Sequence, residues 1–290
     1  MLASLTIALV TRNRAFSLER TLASLQRQGT CAVEILISDD SEGDEVPRTR
    51  EIADAYGCRY MSGPRRGLYA NRNASALAAR TTHVRTMDDD HEFPPGHLDA
   101  CLAAIELDPS AVWTLSEVRP GDPHGDGRDT PPGQLNARGF SGPPAPNAPM
   151  WAVADGATIY PRSIFTEGHL FVDDFPFGAA YLEFGSRLYK AGFQIRHLAG
   201  TYVIHHYDPA TRSFLDRRID LASRFFAMFA HALVHQQSVG NRTLMTAEIG
   251  KQLIRYPFVA PGALRWATAV YRRRTPMLRN AVIAGRPPPV

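Results

Sequence analysis

Leu5-Thr6-Ile7-Ala8-Leu9-Val10, followed at once by Thr11-Arg12-Asn13-Arg14, is an apolar run of strand length that stops at a polar turn. Ser17 then reads as the N-cap of a helix whose Leu18, Leu22 and Leu25 recur at i, i+4 and i+7. Val33 to Ile37 is a second run, closed by Ser38-Asp39-Asp40-Ser41-Glu42-Gly43-Asp44. Glu51 to Tyr56 reads as another helix and Cys58 to Met61 as a short strand. Strand, helix, strand, helix, strand is the order that builds a parallel sheet through right-handed crossovers. The expected fold class is therefore α/β: a mostly parallel open twisted sheet flanked by helices, with polar and acidic residues gathered at the carboxyl ends of its strands.

Such strand ends are where open α/β sheets bind ligands. One of them is unusual. Asp88, Asp89 and Asp90 end the stretch Thr81 to Met87 and are followed by His91 and the Pro94-Pro95-Gly96 turn. Three adjacent carboxylates repel one another and are costly to desolvate, so a fold that places them in a cleft usually supplies a divalent cation. A phosphate-bearing substrate with Mg²⁺ or Mn²⁺ follows from that reading; a solvated acidic turn is the alternative for the triplet taken alone.

Beyond the triplet, Gly96 to Leu107 carries Leu98, Leu102 and Ile105 on one helical face, and Ala111 to Val118 reads as a strand. Arg119 to Pro149 is dense in Gly, Pro, Asp and Asn and shows almost no periodicity, the mark of a long loop, either a substrate lid or a plain insertion. A helix is expected over Ala180 to Ala191, a strand over Thr201 to Ile204 ending in His205-His206, and a long amphipathic helix over Leu215 to Val234. No internal repeat is visible. The expected division is a domain over 1–207, made of a nucleotide and metal half (1–118), a loop (119–150) and an acceptor and base half (151–207), then a helical C-terminal extension over 208–290.

Composition narrows the class. The chain has 290 residues, 44% hydrophobic and 21% charged, which suits a globular protein able to bury a full core. Cys31, Cys58 and Cys101 are scattered and odd in number, without metal-ligand spacing, which fits a reducing cytoplasm. The opening apolar stretch is too short to span a bilayer and lacks an export pattern. A net charge of +3 gives no ground for nucleic-acid binding. Basic residues crowd Lys251 to Arg274, interleaved with Leu253, Ile254, Tyr256, Phe258, Trp266, Val270 and Tyr271, a composition compatible with peripheral contact with an anionic membrane surface. Pro257, Pro261 and Gly262 interrupt any single helix there, and a segment packed on the domain is the simpler reading. Arg286 to Val290 reads as a disordered tail.

With these motifs in order, residues 5 to about 207 resemble family 2 inverting glycosyltransferases of the A-type nucleotide-sugar fold. Thr11-Arg12-Asn13-Arg14 before a Leu-rich helix is similar to the family's first strand and helix. Ser38 to Asp44 resembles its base-holding loop, and Gly67-Leu68-Tyr69-Ala70-Asn71-Arg72-Asn73 the glycine plus Arg-Asn element before the metal site. Asp88-Asp89-Asp90 stands where the family keeps its Asp-x-Asp motif, and Glu183 to Leu188 with Ala191-Gly192-Phe193 resembles its later acidic helix.

The resemblance implies a metal-dependent transfer of sugar from a nucleoside-diphosphate sugar, UDP or TDP favoured, to an acceptor hydroxyl of a glycan or small molecule. It places Thr11, Arg12, Asp39, Asp40, Arg72, Asp88 and Asp89 at the nucleotide, Arg72 with its planar fork on the pyrophosphate; a cap of the following turn is the alternative for one of Asp39 and Asp40, and a surface ion pair the alternative for Arg72. It places Asp90, Asp88 and one of His205 and His206 at Mn²⁺ or Mg²⁺. Ala180-Tyr181 occupy the family's usual Glu-Asp pair, so Glu183 is the expected general base, with Asp173 and Asp174 as alternatives. Burial is expected to raise the Glu183 pKa toward the useful range; on local grounds a plain ion pair with Arg187 at i, i+4 is the equal alternative. A sugar-nucleotide pyrophosphorylase should show a Gly-rich loop after the first strand, which Thr11 to Arg14 lacks. A non-catalytic binding protein of the same fold is the remaining alternative.

Overall fold

The computed structural model describes residues 4–29, 33–120, 133–142, 148–206 and 216–283. Contacts group the chain into two compact units. One comprises Met1–Pro131, Ala154–Leu170 and Arg196–Thr211; the other comprises Pro132–Val153, Phe171–Ile195 and Arg212–Val290.

The first unit opens with β1 (Leu5–Thr11), α1 (Ala15–Gln26), β2 (Val33–Asp39), α2 (Glu45–Ala55), β3 (Arg59–Ser62), α3 (Leu68–Ala78) and β4 (His83–Asp88). β1 pairs in parallel with both β2 and β4, and β2 with β3. Every residue of β1 is buried, as the central strand of this half requires. The register sets Val10 beside Asp88 and Thr11 beside Asp39, so the acidic strand ends finish level with one another.

The remaining strands are β5 (His91–Glu92), β6 (Val112–Val118), β9 (Thr158–Pro161) and β10 (Ile195–His205), with α4 (His97–Leu107) after β5 and the short α5 (Ser163–Thr166) after β9. The eight strands run β3-β2-β1-β4-β9-β6-β10-β5. β9 is antiparallel to β4 and β6, and β5 to β10, so the sheet is mixed, its parallel half confined to β3-β2-β1-β4. Leu5, Ile7 and Leu9 pack with Leu18, Leu22 and Leu25 of α1, and with Leu98, Cys101 and Ile105 of α4, in one core. Cys58 and Cys101 are free and buried.

Three local expectations change. α1 begins at Ala15, so Ser17 lies inside its first turn and is no cap; the Ala15 amide reaches the Glu45 carboxylate instead, a partner no local pattern reveals. α2 begins six residues before Glu51, with Pro47 in its first turn, where a missing N–H is harmless. β10 begins at Ile195, its residues 196–200 too exposed to show a strand's apolar alternation.

In the second unit a small hairpin pairs β7 (Gln134–Leu135) with β8 (Ser141–Gly142), inside the stretch expected to be a structureless loop. Two-residue strands are too short to leave a period in the sequence. Residues 121–132 and 143–147 of that stretch lie outside the described residues, as does the C-terminal tail. α6 (Ala180–Lys190) and α7 (Arg217–Ala230) follow, and α7 passes into one wide π turn over His231–His235. α8 (Val239–Arg255) and α9 (Ala260–Ile283) complete the unit, broken apart near Pro257 as expected. Phe175 sits at its core, with ring centroids 5.6 Å from Phe226 and 5.2 Å from Trp266.

α6 lies close on the backbone of residues 151–153. A Cβ on Gly185 would fall 2.8 Å from Trp151 O and 3.0 Å from Val153 N. Neither backbone atom can swing aside. Gly185→Val is therefore expected to destabilise the protein by about 1–3 kcal/mol, measured as a lower urea midpoint at unchanged slope.

Candidate active site

At the end of β2, Asp39 accepts hydrogen bonds from the Ser41 amide (2.8 Å) and the Tyr60 hydroxyl (2.9 Å), so it shapes the turn that follows. Asp40 accepts from the Arg65 amide at 2.8 Å, and burial raises its pKa. Gly63 passes close beside it: an added Cβ would crowd Asp40 Oδ1 and lie 2.8 Å from Asn71 Oδ1, so both side chains would have to shift. Arg12, one residue past β1, pairs with Glu42 at 3.2 Å on the exposed side.

Two arginines divide the Asp triplet. Arg72, fully buried on α3, donates to Asp88 at 2.7 Å and also to Asp155. Burial alone would lower its pKa, but the Asp88 charge outweighs it and holds the guanidinium charged. The fork expected to meet a pyrophosphate is thus closed on two carboxylates. Arg14 lies 2.9 Å from both Asp89 Oδ1 and Asp90 Oδ2. Thr11 Oγ1 donates to Asp89 at 2.6 Å, and Asp89 O accepts from Thr21. Burial beside like charges pushes the Asp89 carboxyl up to about 7. Burial would raise Asp90 as well, yet His205, His91 and Arg14 together hold it far below the usual carboxylate range.

His91 and His205 come together through sheet register. They sit opposite each other in the β5–β10 pair, and cross-strand partners share a face. Their rings meet edge to face at 4.9 Å. His205 Nε2 is 3.4 Å and His91 Nε2 4.0 Å from Asp90 Oδ1. The alternation of a strand sends His206 to the other face, where it bonds Glu92 at 2.7 Å. The His206 amide donates to Asp90 O at 2.9 Å, but its imidazole is not brought to the Asp90 carboxylate. The His205 Nδ1 edge lies 3.2 Å from Glu117 Oε2, at the end of β6. Burial opposes charge on His205, but Asp90 and Glu117 prevail and lift its pKa to about 9; Glu117 in turn is held down to about 2.

The described residues fit a divalent cation here. Asp90, His91 and His205 are buried and each offers one ligand atom, all within 4.8 Å of one another. Asp90 Oδ1 and both ring nitrogens of His91 are buried without a hydrogen-bond partner among the described residues. Gly156, at φ +74°, lets the backbone pass close: its absent Cβ would lie 3.1 Å from His91 and 3.3 Å from Asp88. Sequence reasoning missed His91 and Glu117. The only trace of His91 was its place next to the triplet, and Glu117 left none.

In the second unit, Glu183 is fully buried near the start of α6. Arg187 Nε and Nη2 donate to its two oxygens at 2.9 and 3.3 Å, and His235 Nε2 lies 3.4 Å away. Burial alone would raise its pKa, as the sequence led us to expect, but Arg187 and then His235 outweigh it and the pKa is lowered. Asp173 and Asp174 are taken by Arg274 and Arg273.

A carboxylate whose pKa is depressed by folding contributes stability above its unfolded pKa and loses it as pH falls through the folded one. Glu183→Gln, which strands Arg187, is expected to cost about 3–5 kcal/mol at neutral pH. The gap to the wild type should narrow once the pH falls below the ordinary glutamate pKa of about 4.3. Thermal unfolding of both proteins across pH checks this.

Solved structures resemble the chain in fold. GalNAc-T7 with UDP, GalNAc and Mn²⁺ matches with a TM-score of 0.64 at 16% identity, over 85% of this chain and 54% of that one. Staphylococcus aureus TarS 1–349 with UDP-GlcNAc gives 0.61 at 15% identity, over 96% and 79%. The mannosyltransferase PcManGT from Pyrobaculum calidifontis, with GDP-Man and Mn²⁺, gives 0.59 at 17% identity, over 99% and 77%. The chain spans 55% of the length of the longer TarS structure. No curated protein matches it. The model of the Glycosyl transferase family 2 matches residues 6–168, more than half of the sequence, and the chain belongs to that family.

Proposed function

We propose that the protein transfers a sugar from a nucleoside-diphosphate sugar to an acceptor hydroxyl with inversion, using a divalent cation at Asp90. The observation that carries this is the buried convergence of Asp90 Oδ1 with the imidazoles of His91 and His205 at a strand end of a family 2 sheet. A divalent cation bound there supplies Lewis-acid stabilisation for the negative charge that builds on the leaving diphosphate. Asp40 accepts the imide N–H of a uracil or thymine ring, while Asp39 holds the turn that presents it. Thr11 and Arg14 fix Asp89 and Asp90, and Arg72 fixes Asp88 toward the ribose. UDP is favoured as the carrier, as in the TarS and GalNAc-T7 complexes, whereas PcManGT binds a GDP-sugar.

The assignment of Glu183 as general base rests on motif order alone, since both its oxygens are already engaged. That engagement, with Ala180-Tyr181 at the usual acidic pair, is what favours the second reading, a binding protein that keeps the fold without turnover.

The reading sets the enzyme in the cytoplasm, at the inner face of a membrane. Among the described residues no helix is long and apolar enough to cross one. On α8 and the turn after it, Val239, Ile254 and Phe258 are 84%, 83% and 98% exposed, which costs most in water and least at a lipid interface. α9 exposes Arg265, Arg272 and Arg279 at seven-residue spacing, two turns or roughly 10 Å apart, and contains no acidic residue. Charge of one sign beside exposed apolar groups suits an anionic leaflet.

Two expectations follow from this reading. UDP with Mn²⁺ should raise the unfolding midpoint of the full chain, EDTA should remove the shift, and Asp90→Asn should lower sugar transfer at least about 100-fold, roughly 3 kcal/mol of transition-state stabilisation; absence of any nucleotide shift would turn the reading to the binding protein or to a different ligand. In sedimentation with vesicles, the protein should bind phosphatidylglycerol membranes and not phosphatidylcholine alone, and Phe258→Ser with Ile254→Ser should release it. Binding that ignores both lipid charge and these substitutions would remove the membrane from the proposal.

A further inference from the structure

Resting on the reading of Asp90 as a cation site, we infer that the ion is held by two imidazoles, His91 and His205, together with Asp90. Glu117 acts as the positioning carboxylate for His205, and the site therefore selects a divalent transition-metal ion over Mg²⁺. Four observations carry this. The β5–β10 register puts His91 and His205 directly opposite on one face, and with Asp90 they bring three ligand atoms within 4.8 Å of one another. Both ring nitrogens of His91 are fully buried with no hydrogen bond among the described residues. Proteins rarely leave two polar atoms in that state unless a ligand satisfies one of them. Asp90 Oδ1, the oxygen nearest both rings, is unsatisfied by the same measure.

The fourth observation concerns His205. Its Nδ1 edge faces Glu117 at 3.2 Å and its Nε2 faces Asp90 at 3.4 Å. A proton on Nδ1 given to Glu117 leaves the Nε2 lone pair aimed at the cation, the arrangement in which a carboxylate fixes the tautomer and orientation of a metal-binding histidine. Glu117 is itself steadied by Arg119 at 3.2 Å.

The donor set decides the preference. Mg²⁺ favours a near-ideal octahedron of oxygens, keeps several waters and gains little from nitrogen. Imidazole nitrogens suit the first-row transition ions. Two nitrogens and one carboxylate oxygen therefore define a site that discriminates between the two cations that family resemblance alone leaves equivalent.

The test is Mn²⁺ binding to the full-length protein, without nucleotide, followed by pulsed electron paramagnetic resonance that counts coupled ¹⁴N nuclei. Two imidazole nitrogens in the wild type and one in His91→Asn support the inference. A single nitrogen in the wild type, unchanged in His91→Asn, overturns it while leaving a cation site at Asp90 and His205. No Mn²⁺ binding at all overturns both this inference and the reading beneath it. Because the wild-type count decides between these outcomes, a variant that fails to fold does not blunt the test. In competition, Mn²⁺ should persist against a large excess of Mg²⁺, and equal displacement would reject the selectivity. Glu117→Gln should weaken Mn²⁺ binding about 10- to 100-fold with both nitrogens still coupled; unchanged affinity would remove Glu117 from the role.

Discussion

Buried carboxylates need counter-charge, and the arrangement of the first unit depends on how that charge is divided. Arg72 spans Asp88 and Asp155, and Arg14 spans Asp89 and Asp90. Asp89, Asp90 and Arg72 are buried while Arg14, Asp88 and Asp155 keep some exposure, so each arginine fixes the strand end it touches with one foot in solvent. The division is unequal in its consequence. Both oxygens of Asp89 are engaged, by Thr11 and Arg14, whereas Asp90 keeps Oδ1 toward two imidazoles. An acidic run that would repel itself in isolation is thus held by two arginines, with one oxygen, Asp90 Oδ1, left facing the imidazoles.

The candidate site is assembled from well-separated stretches of chain, and the sheet aligns those that end its strands. Parallel pairing ends β1, β2 and β4 at one level, bringing Thr11, Asp39 and Asp88 to a common edge. The antiparallel pair β5–β10 then adds His205 beside His91, and the end of β6 adds Glu117. A one-residue slip of β10 would exchange His205 for His206 on that face. The Glu92–His206 bond at 2.7 Å on the opposite face resists such a slip.

The second unit treats its carboxylates differently. Glu183, Asp173 and Asp174 each have arginine partners within their own unit. Glu183 and Arg187 face each other one helical turn apart, a spacing that stabilises a helix by only a few tenths of a kcal/mol when exposed. Here both are buried, so loss of either partner would leave an uncompensated charge inside the unit. The His231–His235 π turn brings His235 to the same carboxylate, and a widened turn of this kind is the sort of local departure often kept for a site.

Local pattern in the sequence was sufficient for the strands of the parallel half, for α4 and α6, and for the order of the acidic motifs, because these depend on periodicity and on turns that end it. It also carried the family. It did not show that β9 would run antiparallel and make the sheet mixed, that Glu45 would serve α1 in place of Ser17, or that two-residue strands would pair within the Arg119 to Pro149 stretch. The turning of the His205 and His206 side chains to different partners, the pairing of Arg72 with two carboxylates, the lowered pKa of Glu183 and the approach of His91 to Asp90 and of Glu117 to His205 appear only in the tertiary structure. Each depends on which side chains from distant segments share a face or a buried volume, and the energy of a charge is set by those neighbours rather than by its place in the chain.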